Sequence, residues 1–97
     1  MNGEGALRKA LMQADRGDLP GAEATLRRLL DGEASDVTRV RALVVLGDLL
    51  TGRGDPGARW VLTEALSLAR ELEDADDLLG FEFERAHLLL EELHAEP

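Results

Sequence analysis

His87, Glu91 and His94 stand at i, i+4 and i+7, a spacing that puts two imidazoles and a carboxylate on one face of a helix. Such a set could meet a metal ion, but zinc wants a fourth ligand and second-shell groups that orient the rings, and neither is evident nearby. The same spacing arises readily on a solvated helical face, so no metal and no other cofactor is expected. Asp74, Asp76 and Asp77 lack the central Gly and terminal Glu of a calcium loop, and read as helix caps and solvated charge. Arg16-Gly17-Asp18 and Arg53-Gly54-Asp55 spell the tripeptide that integrins recognise, yet each falls where a turn between two helices is expected. The rest of the catalytic inventory is thin: no Cys, no Tyr, two Ser without a nearby His, and no Gly-rich phosphate loop after a strand. Glu82 and Glu84 point to different faces of a helix and do not form an acid/base couple. The chain reads as non-catalytic.

Ninety-seven residues suffice for one domain and one modest core. At 44% hydrophobic and 32% charged residues, the chain is apolar enough to fold. Leu and Ala dominate and aromatics are only 3%, so helix formers outnumber the residue types that strands prefer. The absence of Cys excludes disulfides and thiolate metal sites, and a cytoplasmic location is the simplest expectation. No export signal or membrane-spanning run is evident. Ten Arg against a single Lys, with abundant Ala, Gly and Leu, points to a GC-rich bacterial genome. Net charge is −9 and unevenly placed: residues 1–60 carry nine acids and nine bases, residues 61–97 eleven acids and two bases. Nucleic-acid phosphates and anionic lipids both demand clustered cations, so neither is an expected partner.

The apolar spacing predicts five helices and an all-α fold. Leu7, Ala10, Leu11 and Ala14 mark a helix over 4–16, which Asp15-Arg16-Gly17-Asp18 ends. Asp18 caps a second, 19–31, with Pro20 in its first turn. Ser35 or Asp36 caps a third, 36–52, whose apolar residues cover more than one face and predict the most buried helix. Asp55 caps a fourth, 56–72, striped by Ala58, Val61, Leu62, Ala65, Leu66 and Ala69. A fifth, 77–94, follows the acidic stretch and carries an apolar surface wider than a terminal helix needs. Trp60 lies off the main stripe of helix four; it either packs against helix five beside Phe81 or stands exposed as an interface anchor.

The chain also repeats itself. Gly17-Asp18-Leu19-Pro20-Gly21-Ala22 recurs as Gly54-Asp55-Pro56-Gly57-Ala58 at an offset of 37 with one deletion, and Ala10, Leu26 and Leu30 match Gly47, Leu62 and Leu66. Self-similarity at this period means stacked helical hairpins. On Gly47, Gly54-Asp55, Ala58 and Ala65-Leu66 the chain resembles the tetratricopeptide-repeat family, in which a small residue lies mid-way along the first helix, Gly-Asp at the turn and Ala early in the second. Lys9 and Gln13 depart from the family's preference for Leu and an aromatic. The resemblance implies about two and a half repeats in one domain: hairpins over 4–31 and 36–72 and a closing helix over 77–94.

Members of that family bind peptides or helices on the concave surface lined by the first helix of each hairpin. Carried over, this implies a protein-interaction scaffold or adaptor whose groove holds Leu7, Leu11, Arg41, Val44, Asp48, Phe83, His87 and Leu90. The Lys and Asn side chains with which chaperone-binding members grip a carboxylate are missing, and an apolar groove suits an amphipathic helix better. Two and a half units leave the last helix uncovered. It is expected either to accept a partner helix or to pair in a homodimer through Phe81, Phe83, Leu88, Leu89 and Leu90, which would make the chain a self-associating structural module.

Overall fold

Two of the ten glycines end helices in a way no other residue does easily. In the computed structural model, which describes residues 3–72 and 79–95 apart from the side chains of His94 and Ala95, Gly17 has φ +82° and Gly54 has φ +72°. The Gly17 amide donates to the Ala14 carbonyl at 3.0 Å and the Asp18 amide to that of Gln13 at 2.8 Å. Gly54 donates to Thr51 at 3.0 Å and Asp55 to Leu50 at 2.9 Å. Both turns are therefore Schellman caps, with glycine in the left-handed position that a Cβ makes costly. The sequence repeat is a repeat of this geometry.

These caps divide the described residues into five helices and no strand: α1 (Glu4–Asp15), α2 (Leu19–Asp31), α3 (Asp36–Gly52), α4 (Ala58–Glu71) and α5 (Gly80–Ala95). Asp18 caps α2 by accepting from the Gly21 amide at 3.0 Å, and Ser35 caps α3 by accepting from the Thr38 amide at 3.2 Å. In the second turn the deletion alters the register. Asp55 accepts from Gly57 at 2.8 Å and its carbonyl takes the Ala58 amide at 3.1 Å. Pro56 and Gly57 thus belong to a turn, and α4 begins at Ala58, two residues later than the sequence suggests. The residues expected to cap helix five, and its expected start at 77, lie outside the described residues.

α1 packs on α2 and α3 on α4, as two antiparallel hairpins. The second stacks on the first through α3, which touches both α2 and α1, and α5 closes the stack against α4 and α3. α1, α3 and α5 consequently run as a row of neighbours. α3, at the centre, buries residues on several faces, including Val40, Ala42, Leu43, Leu46 and Leu50. Each hairpin closes on one small residue. Ala10 and Gly47 are both buried, and a Cβ on Gly47 would stand 2.6 Å from Cγ of Leu62. The first hairpin adds a polar tie, in which buried Thr25 donates its hydroxyl to Gln13 Oε1 at 2.6 Å. Gln13, where an aromatic was the family preference, has this work instead.

Arginines stitch the hairpins at the surface. Arg39 of α3 donates to the Leu30 carbonyl at 3.0 Å, satisfying the carbonyl end of α2, where a cation also opposes the helix dipole. Arg53 reaches back to Glu23 of α2 at 2.7 Å and forward to Asp55 at 3.1 Å. Hydrogen bonds from Arg53 and then Arg27 hold the Glu23 carboxyl below its ordinary range, and the Gly57 amide followed by Arg53 does the same for Asp55.

Candidate partner-binding groove

The row of α1, α3 and α5 encloses a groove of about 440 Å³. Leu7, Leu11 and Ala14 supply the α1 side at i, i+4 and i+7; Arg41, Val44, Val45, Asp48 and Leu49 supply α3; Phe81, Glu82 and Arg85 supply α5. The helical repeat brings each set to one face of its helix, and the stacking sets the three faces side by side. Leu11 is 44% exposed and Phe81 74%, so much apolar surface stays open to solvent along this channel.

One ion pair crosses it. Arg85 donates through Nε to Asp48 Oδ2 at 3.2 Å and through Nη2 to Oδ1 at 2.9 Å, a bidentate contact that ties α5 to α3. This bond, with the carboxylate's charge, holds the Arg85 guanidinium above its ordinary pKa. Glu82 is half-buried in the same wall and has no hydrogen bond or ion pair among the described residues.

Of the residues the sequence places in the groove, Leu7, Leu11, Arg41, Val44 and Asp48 line it. Phe83, His87 and Leu90 do not. Phe83 and Leu90 are half-buried against the core between α3, α4 and α5, and the exposed His87 ring lies 5.3 Å from the Phe83 ring on that side of the helix. Ala14, Val45, Leu49, Glu82 and Arg85, none of them expected there, also line the groove, and so does Phe81, expected only in self-association. The 37-residue period seen at the turns also marks the groove. Adding 37 to Val44 and Asp48 gives Phe81 and Arg85, just as subtracting it gives Leu7 and Leu11. The groove is thus a double row of equivalent positions, Leu7, Val44 and Phe81 beside Leu11, Asp48 and Arg85.

The residues assigned to self-association are scattered as well. Phe81 and Leu88, the latter 53% exposed, are accessible, whereas Leu89 is 2% exposed and belongs to the core with Phe83 and Leu90 packed beside it. Leu89 faces inward because it closes the seam between α5 and the second hairpin. Trp60 does not pack against α5 and is 79% exposed on α4. Among the described residues no group of three or more His, Asp or Glu could hold a metal, and the His94 side chain and Asp74, Asp76 and Asp77 lie outside them. No helix of the described residues is long and apolar enough to cross a membrane.

The fold and site together define a stack of antiparallel helical hairpins with an apolar channel along one row of helices. No protein-family model, curated protein or solved structure matches the chain.

Proposed function

We propose that the chain is a non-catalytic protein-interaction scaffold of tetratricopeptide-like hairpins, and that the groove of α1, α3 and α5 binds an amphipathic helix of a protein partner. The observation that carries this reading is the open apolar lining contributed at equivalent positions by three helices, with Leu11 and Phe81 largely exposed in it. A helix docks in such a channel through apolar anchors at i, i+3, i+4 and i+7. The lining also offers no nucleophile beside a base, which favours binding over chemistry.

The test uses model peptides of about four helical turns with leucines at those anchor positions, titrated against the wild-type chain and Leu11→Glu. Saturable binding that weakens at least tenfold in the variant, with unchanged helicity by circular dichroism, supports the reading. Absence of binding to every peptide, or equal binding to both proteins, overturns it.

A second reading, association of two copies through α5, is favoured by the exposed Phe81 and Leu88 alone. Sedimentation that depends on protein concentration and is abolished by Leu88→Glu would support it.

A further inference from the structure

Filling the groove with an apolar helix removes water from everything in its walls, including charges. Two of the four charged groups there, Asp48 and Arg85, already satisfy one another in a bidentate contact, and Arg41 has an interaction of its own. Glu82 has none among the described residues, is half-buried, and sits next to Phe81. Arg85 directs its Nε and Nη2 to Asp48, and among the described residues no hydrogen bond or ion pair joins it to Glu82. Desolvating a carboxylate without a counter-charge is unfavourable, so an occupant that covers Glu82 binds best when it brings a cation to it. The surroundings act in the same direction. Glu84, Glu91 and Glu92 stand exposed on α5, the helix that carries Glu82. The apolar rows, in contrast, run on towards α1, where Leu7, Leu11 and Ala14 carry no charge.

We infer that the partner is a basic amphipathic helix of another protein, laying its apolar face on Leu7, Leu11, Val44 and Phe81 and pairing a Lys or Arg with Glu82 at the α5 wall. This rests on the groove reading above and adds to it the charge and orientation of the occupant. A second copy of the chain is a poorer occupant because its own excess charge is negative.

The experiment compares two model peptides with the same leucine pattern, one with Lys and one with Glu at its polar positions, by fluorescence anisotropy on the full chain. The wild type should bind the Lys peptide at least tenfold more tightly. Glu82→Lys should reverse that order, and Glu82→Gln should shrink it. Glu84→Lys makes the same change in net charge two residues away on an exposed position and should leave the preference in place, which separates local pairing from general attraction between a basic peptide and an acidic protein. Equal affinity of the two peptides for the wild type, or equal effects of Glu82→Lys and Glu84→Lys, would overturn the charge assignment while leaving the groove reading intact. Binding of neither peptide would remove both. A concentration-dependent dimer that excludes the Lys peptide would likewise overturn the assignment, in favour of a second copy.

Discussion

Gly47→Ala should be neutral to destabilising on its own and stabilising when Leu62 is removed. A Cβ on Gly47 would meet Leu62 Cγ at 2.6 Å and one of its methyl groups closer still, in the buried seam between α3 and α4. In an unobstructed helix interior, Gly to Ala gains about 1 kcal/mol of helix propensity. Overpacking of this kind costs about 1–3 kcal/mol, so the substitution alone should range from neutral to about 2 kcal/mol destabilising. Leu62→Ala leaves a cavity and should cost about 2–5 kcal/mol. In that background the obstruction is gone, and Gly47→Ala should stabilise by about 1 kcal/mol. The two sites are then coupled by about 1–3 kcal/mol, the size expected of residues in direct contact. Urea unfolding of the four proteins, followed by circular dichroism, measures this as shifts in midpoint at constant slope. Trp60 is too exposed to report on the core. If Gly47→Ala stabilises both backgrounds equally, the close approach of the helices in the second hairpin is refuted.

Gly54→Ala should destabilise by about 1–2 kcal/mol, because its φ of +72° is costly for an L residue. Gly5→Ala should stabilise by up to about 1 kcal/mol, since a Cβ there meets nothing within 4 Å; thermal melts distinguish the two. The Glu23 and Asp55 carboxyls titrate lower in the folded chain than unfolded, so their contribution is present above the ordinary carboxylate range. It should be lost as pH falls below about 4 and through the folded values, and the acid limb of the melting temperature should flatten in Glu23→Gln. Trp60 emission should be that of a solvated indole and readily quenched by acrylamide, whereas a blue-shifted, protected emission would contradict its exposure. Asp48→Asn should loosen α5 specifically, seen as faster amide exchange in residues 81–90 while α1 and α2 keep their protection.

Much of this fold was legible in the residues because its punctuation is chemical. A glycine followed by an aspartate occurs twice at a fixed offset and ends a helix each time. Asp18 also caps the next helix, whereas Asp55, expected to cap α4, closes the turn before it and leaves Gly57 at the N-cap position. The start of α4 was misplaced because Pro56 suits either a first helical turn or the turn before it, and the choice depends on which amide Asp55 accepts. Trp60 was ambiguous for a different reason. Periodicity says which face of a helix a residue occupies, but not whether another helix covers that face. The α5 side of the groove was the least legible, since the local apolar residues draw attention to Phe83 and Leu90, which pack into the core. Two residues along a helix rotate a side chain by about 200°, so reading Phe83 in place of Phe81 exchanges the core face for the groove. Glu82 gave no signal in the sequence at all, because its significance lies in the pairing of its neighbours Asp48 and Arg85 with each other.

The measurement closest to the central claim is a map of backbone amide shifts in the labelled chain as the leucine-patterned Lys peptide is added. Perturbations should concentrate in residues 7–14, 41–49 and 81–85, the three walls of the groove. Perturbations centred instead on Trp60 of α4 or on His87 and Leu88 of α5, or none at saturating peptide, would contradict it.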